Sequence, residues 1–341
     1  MKYVRYVYLD GIRGIAALFV LTRHTPSFWD MTFFRSYLAV DVFFLLSGFV
    51  IANAYQKKME KGELSISQFA LIRLIRFYPL FLFSLLISTV NYSLHPMDVP
   101  ILNVILTILL TIFFIPSMLI NQTLFSLNSP YWSLFFELIA NALYAVTRPF
   151  LTTKNLLLVI MASGLLVVQS AHYNNDLNIG FTWGLMPVIG GFARAIYGIF
   201  LGILIQNNLH HIQTTPRPAL AISMVVLTFT LPSLGIYNFI FDVFALLFIF
   251  PTSIMLAITT EENYFSNIFM WLGVASYPLY VLHLPVSGII DYFYHDIVST
   301  SVPYSGLLLI LFLVPLSIFI EEKMDKPIRK ALTHRFFHPL N

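Results

Sequence analysis

Apolar runs of roughly bilayer length recur from one end of this chain to the other, and that repetition limits the fold more than anything else in the sequence. A hydrocarbon core about 30 Å thick is crossed by about 20 helical residues. Runs approaching that length occupy 12–29, 37–55, 77–95, 101–119, 131–147, 156–171, 187–205, 219–234, 237–258, 268–290 and 304–320, eleven in all. The connectors between them are short and carry Asn, Pro or a few charges, and the longest, 56–76, reads as a basic connector. Only 10% of residues are charged and 58% are hydrophobic, against about 25% and 45–50% in soluble domains, so a water-facing surface cannot be assembled. The expectation is an all-α polytopic membrane protein forming one domain over residues 1–341. There is no cysteine, which removes disulfides and Cys-ligated zinc. The net charge of +3 sits in connectors and the tail, which speaks to topology and not to nucleic acid.

Lys2 and Arg5 precede an apolar run as in a secretory leader, but Asp10 and Arg13 interrupt it and no small-x-small site follows. The run therefore reads as an uncleaved first span. Lys and Arg in short loops mark the cytoplasmic side. Lys2 and Arg5, the group Lys57, Lys58, Lys61, Arg73 and Arg76, and the tail from Lys323 to Arg335 place both termini inside, in a cytoplasmic (inner) membrane. Two cytoplasmic termini need an even number of crossings, and eleven is odd. Counted back from the tail, the connectors with Arg148 and Lys154 and with His210, His211 and Arg217 fall inside, and the loops near Asp176 and Asp291 outside. Residues 77–130 are left with one net crossing. The expected count is thus about ten transmembrane helices plus a re-entrant segment around 100–130, with IPSMLINQTLFSLNSP as the part that dips and returns. Backbone of that kind is tolerated only where protein buries it or it lines a wet cavity.

An ionisable residue at the centre of a span costs about 2.5–3.5 kcal/mol on insertion scales, so each needs a partner or a task. The stretch YLDGIRGIAALFVLTRHTPSFW holds Asp10, Arg13, Arg23 and His24. Eleven helical steps exceed three full turns by only about 20°, which puts Arg13 and His24 on one face about 16 Å apart along the axis and points Arg23 elsewhere. Taken singly, Arg13 snorkels to headgroups and His24 bonds a carbonyl. Taken together they suit a long substrate whose anionic head meets the arginine and whose reactive end meets the imidazole.

Asp41 in SYLAVDVFFLLSGF needs an opposite charge to stay ionised, with Arg13 and His24 as candidate partners, or else a place at the water boundary. Ser47 and Gly48 also fit a small-residue packing face. Arg73 and Arg76 in LIRLIRFYP, at i and i+3, either anchor the cytoplasmic end or clamp phosphate. YWSLFFEL supplies Trp132, Ser133 and Glu137, and SYPLYVLHL supplies Tyr280 and His283 at i and i+3, His283 reading first as a packing residue. His210 and His211 are adjacent and lack a carboxylate at ligand spacing, so no metal is expected. No Gly-rich phosphate loop and no G-x-S-x-G elbow occurs.

The series LDGIRGIAALFVLTRH, VDVFFLLSGFV, RLIRFYP, YWSLFFEL and GVASYPLYVLHLPV resembles, in order and over nearly the whole chain, the integral-membrane acyltransferase family 3. Its most specific element is the arginine, ten residues, histidine spacing in the first span, supported by the Asp-x-Phe-Phe-x-x-Ser-Gly run. The resemblance implies a ten-helix enzyme that takes an acyl group, usually acetyl, from cytoplasmic acetyl-CoA. It delivers that group to a hydroxyl of a cell-surface carbohydrate such as O-antigen, exopolysaccharide or a lipid-linked precursor. Arg13 and His24 match the family's essential pair, and Asp41, Ser47, Arg73, Arg76, Trp132, Ser133 and Glu137 match further motif positions, with Asp10, Tyr280 and His283 in the same segments. Two departures stand out: Ser36, Tyr37 and Ala39 where glycines are common, and Asp325-Lys326-Pro327 where Glu-Lys-Pro is usual. No fused esterase-like domain is present, so the stand-alone form is expected.

The expected mechanism has Arg13, Arg73 and Arg76 holding the acyl-CoA head while His24, as general base, takes the proton of the acceptor hydroxyl. Asp41 or Glu137 would orient the imidazole as the third member of a triad does, and an acyl-histidine intermediate is the competing route. All of this asks for one tunnel, cationic at one end and imidazole-tipped at the other. The rival from another class is a transporter or flippase of a lipid-linked sugar, whose buried charges line a path.

Overall fold

The computed structural model describes residues 5–211, 215–261 and 264–337, and Lys2, one of the cations used to orient the N-terminus, lies outside them. Among the described residues every regular element is helical, with one isolated antiparallel bridge between Thr123 and Thr182. The helices are α1 Val7–His24, α2 Ala39–Ile51, α3 Lys57–Glu60, α4 Ile66–Leu94, α5 Ile101–Ile112, α6 Tyr131–Thr147, α7 Thr153–Asn174, α8 Leu185–Asn207, α9 Pro218–Thr230, α10 Asn238–Phe244, α11 Phe250–Ala257, α12 Ser266–Thr300, α13 Tyr304–Ile320 and α14 Lys326–Phe337. Seven continuous helical stretches are long and apolar enough to cross a membrane: Phe34–Glu60, Ile66–Leu94, Thr153–Asn174, Leu185–Asn207, Gly235–Ala257, Ser266–Thr300 and Tyr304–Phe337. α5 and α9 are shorter apolar helices. α1 has 18 residues but carries Asp10, Arg13 and Arg23.

The stretch 56–76, expected as a connector, is mostly helix. α2 runs on through the wide turn Ala52–Gln56 into α3, and α4 starts at Ile66 because Ser65 caps it. Ser65 Oγ accepts from the Gln68 N–H at 3.2 Å while Gln68 Oε1 accepts from the Ser65 N–H at 2.9 Å, a reciprocal capping box that satisfies two end donors. Arg73 and Arg76 therefore sit on a rigid helix face and not in a loop.

α1 lies against α2 on one side and α12 on the other. Its Gly11 and Gly14 let the α12 residues Phe269 and Leu272 approach closely. The tightest crossing is α2 on α8. A Cβ at Gly48 would fall 1.9 Å from the Ile199 carbonyl oxygen, and one at Gly202 would fall 2.1 Å from that of Leu45. Both neighbours are backbone, which cannot swing aside, so only glycine fits this contact. Gly48→Ala is expected to cost about 1–3 kcal/mol or more by overpacking, read as a lower thermal midpoint and less monodisperse protein after detergent extraction. An unchanged midpoint would contradict the crossing.

After α5 the chain is irregular from 113 to 130, and protein groups meet part of its polar backbone. The Leu124 N–H donates to the Phe181 carbonyl at 2.8 Å, that of Trp183 to Gln122 at 2.9 Å, and that of Ser117 to Leu124 at 3.0 Å. Leu124, Phe125, Leu127 and Asn128 are buried, whereas Phe113, Ile115 and Met118 are exposed. Proline supplies the tie to α12. Pro285 has no N–H for the carbonyl four residues back, and that carbonyl, of Val281, accepts instead from Ser84 Oγ at 2.6 Å and Asn128 Nδ2 at 2.9 Å. α4 and the irregular segment are thereby fixed to the turn of α12 that carries His283.

Candidate active site

α1 and α12 bring two imidazoles together. His24 Nδ1 lies 3.2 Å from His283 Nε2, with ring centroids 5.1 Å apart. His24 Nδ1 also lies 2.9 Å from the Val20 carbonyl oxygen, and His283 Nδ1 lies 3.0 Å from that of Leu279. His283 is wholly buried. His24 lines a cavity of about 360 Å³ together with Arg23, Tyr37, Trp132, Arg194 and Tyr280. Arg23 does not point away from this place: it stacks over Tyr37, 5.0 Å to the ring centroid, because its long side chain reaches around to the cavity His24 lines.

A second cavity of about 130 Å³ lies at the other end of α1 and is lined by Arg13, Arg73, Arg76, Ser47, Glu137 and Tyr280 among others. Each arginine there already has a carboxylate. Arg13 Nη2 donates to Asp10 at 2.7 Å, and its Nε donates to Ser276 Oγ at 3.0 Å. Arg73 Nη2 donates to Glu137 at 2.8 Å, and Ser47 Oγ donates to the same oxygen at 2.5 Å. Arg76 Nη1 lies 3.6 Å from Glu321 and 3.9 Å from Asp325, carboxylates that Arg329 also bonds. Asp10, Glu321 and Asp325 stand outside the lining, so three guanidinium groups face this cavity with the single carboxylate of Glu137. Arg73 Nε and Arg76 Nη1 are enclosed by protein and have no hydrogen-bond acceptor among the described residues.

Three expectations are corrected. Asp41 meets neither Arg13 nor His24: Arg194 Nε and Nη2 bind its two oxygens at 2.9 and 2.7 Å. The glycine crossing of α2 on α8 brings that fork into register, and both side chains are buried. Glu137 does not orient the imidazole either, because Arg73 and Ser47 hold it at the opposite end of α1. Nor is there one continuous tunnel. Two cavities share Tyr280, whose hydroxyl lies 2.6 Å from Ser133 Oγ and 3.0 Å from the Pro130 carbonyl oxygen. Trp132 lies under the Arg194 guanidinium, 5.3 Å to its centroid.

Sequence reasoning missed Arg194, and also a second buried cluster in which Arg35 bonds Asp242 and Asn238 while the Tyr37 hydroxyl donates to Asp242 at 2.7 Å. The same insertion cost applied to Arg194 in FARAIYGIF and Asp242 in YNFIFDVF would have flagged both. Among the described residues no group of three or more His, Asp or Glu side chains has a metal-holding arrangement.

A family model described as "Acyltransferase domain" matches residues 6–321. The chain belongs to this acyltransferase family. It is an enzyme, a multi-pass membrane acyltransferase, and membership favours acyl transfer over the transport reading. The acyltransferase is 37% identical over 183 residues to "Protein 2 in picA locus" of Rhizobium radiobacter, an overlap of 49% of this chain and 95% of that protein. It is 33% identical over 98 residues to "Peptidoglycan O-acetyltransferase OatA" of Listeria monocytogenes, covering 28% of this chain and 15% of that one. No solved structure matches the acyltransferase.

Proposed function

We propose that this acyltransferase moves an acetyl or other short acyl group from cytoplasmic acyl-CoA to a hydroxyl of a cell-surface carbohydrate. O-antigen, exopolysaccharide or a lipid-linked precursor has the required chemistry. One domain, 1–341, would sit in the cytoplasmic (inner) membrane with both termini inside. Its ten crossings are the seven long apolar stretches plus α1, α6 and α9, while α5 and 113–130 form the re-entrant part. The observation that carries the reading is the pair of cavities at the two ends of one helix face, arginine-lined at Arg13 and imidazole-bearing at His24. Arg13 and His24 stand about 16 Å apart along the α1 axis, the length of a pantetheine arm.

In this reading the phosphates of the donor meet Arg13, Arg73 and Arg76, the three arginines that line the smaller cavity. The carboxylate partners set the forks in place, and guanidinium geometry suits phosphate oxygens. At the other end the neutral His24 takes the proton of the acceptor hydroxyl as its oxygen bonds the thioester carbonyl carbon. The carbon–sulfur bond then breaks, and the leaving thiolate takes that proton back from His24. The products are the O-acyl carbohydrate and the free CoA thiol, with the base regenerated. The arm must pass Tyr280, the side chain common to both cavities.

Purified protein given radiolabelled acetyl-CoA and a panel of bacterial glycans tests this directly. Label in a glycan supports it; absence of transfer from any short-chain acyl-CoA, with sugar movement in liposomes, would establish transport instead. Arg76→Gln removes one of the three guanidinium groups that line this cavity. It is expected to raise KM for acetyl-CoA about tenfold or more, the worth of a charge-assisted hydrogen bond, with kcat little changed. An unchanged KM would remove Arg76 from the donor site.

A further inference from the structure

We propose that His283 is the positioning residue of His24: its Nε2 accepts the His24 Nδ1–H and so leaves His24 Nε2 as the bare, reactive nitrogen. The proposal rests on the acyl-transfer reading for its use, but not for its geometry. Each ring presents Nδ1 to the carbonyl four residues back, at 2.9 Å from Val20 and 3.0 Å from Leu279. A carbonyl oxygen offers only lone pairs, so contacts that short are attractive only when Nδ1 carries a hydrogen. A neutral imidazole has a single N–H. Both rings are therefore protonated at Nδ1 and bare at Nε2.

That assignment decides the sense of the contact between them. His283 Nε2, 3.2 Å from His24 Nδ1, is an acceptor facing a donor. The His24 N–H is thus shared between the Val20 carbonyl and the His283 nitrogen. The reverse sense, with His283 donating from Nε2, would set bare nitrogens against both carbonyls at once. Packing holds the acceptor in place: Tyr280 lies against His283 with ring centroids 6.2 Å apart, and Phe43 packs on Tyr280 at 5.4 Å. The carbonyl of Val281, freed by Pro285 and captured by Ser84 and Asn128, fixes the α12 turn beside it.

The consequence is a base whose orienting partner is neutral. Among the described residues no carboxylate forms an ion pair with His24 or His283, although a serine-hydrolase triad uses one. When His24 takes a proton at Nε2, the developing imidazolium strengthens its Nδ1–H bond to His283, which is stabilisation absent from the ground state. No second full charge has to be buried beside it.

The test is nitrogen-15 NMR of histidine-labelled protein in nanodiscs, with the His24 signals assigned from a His24→Asn sample. A protonated Nδ1 and bare Nε2 for His24 are expected; a protonated Nε2 would overturn the proposal, whether or not the protein transfers acyl groups. Kinetics add a second readout. His283→Leu is expected to lower kcat about tenfold to a hundredfold with KM for acetyl-CoA within about twofold. His283→Gln, whose amide oxygen can accept the same hydrogen, should recover most of the rate. Equal impairment of the two variants at equal thermal midpoint would reduce His283 to packing, and the spectrum stays decisive if the leucine variant does not fold.

Discussion

His24→Ala is expected to lower kcat for acyl transfer by about 10²–10⁴-fold, the usual contribution of a general base, and to leave KM for acetyl-CoA nearly as it was. The split follows from geometry: the alanine removes the imidazole at one end of α1, while Arg13, Arg73 and Arg76 line the cavity at the other. Steady-state assays with labelled acetyl-CoA, beside a direct donor-binding measurement, separate the two constants. Full activity in the variant would remove the base from His24. A variant that loses donor binding as well would mean that the ring supports the helix and not the chemistry.

The second large effect falls on the fold. Asp41→Ala leaves the Arg194 guanidinium buried with its counter-charge gone, at a cost of about 3–5 kcal/mol. Arg194 keeps its bonds to the carbonyls of Ile179 and Tyr37, at 2.6 and 3.1 Å, but these are dipoles and do not neutralise it. A sharp loss of extractable, folded protein is expected. The paired change Asp41→Leu with Arg194→Met should restore much of the stability, because apolar side chains of similar volume replace a buried ion pair at little cost. Activity of that double variant decides what Asp41 does. Recovered transfer makes it a structural partner of Arg194, whereas a stable but inactive protein would return it to the chemistry.

The helical, bilayer-spanning character was legible because it is a composition property repeated along the chain, and two runs, 131–147 and 304–320, coincide with the helices found. The shared face of Arg13 and His24 was legible because helix periodicity is local. Pairing was not. Asp41 and Arg194 are 153 residues apart, Arg73 and Glu137 64, and His24 and His283 259, and nothing in a helical repeat says which face meets which. Arg13 and His24 were the opposite charges the sequence offered Asp41, yet the α1 surface that carries Arg13 meets Ser276 and Gly273 of α12 instead. The start of α4 at a serine capping box was readable in SISQ but was masked by the charges around it.

Tyr280 also bears on the voltage across the membrane. Moving one elementary charge through a potential of 100 mV is worth about 2.3 kcal/mol, and a water-filled bore from face to face would let protons run down it at every turnover. A phenol anchored to Ser133 and to the Pro130 carbonyl stands where the two chambers meet, and there it would serve as an insulating partition. On the proposed acyl-transfer route it would part for the uncharged pantetheine arm and keep the leakage current blocked at other times.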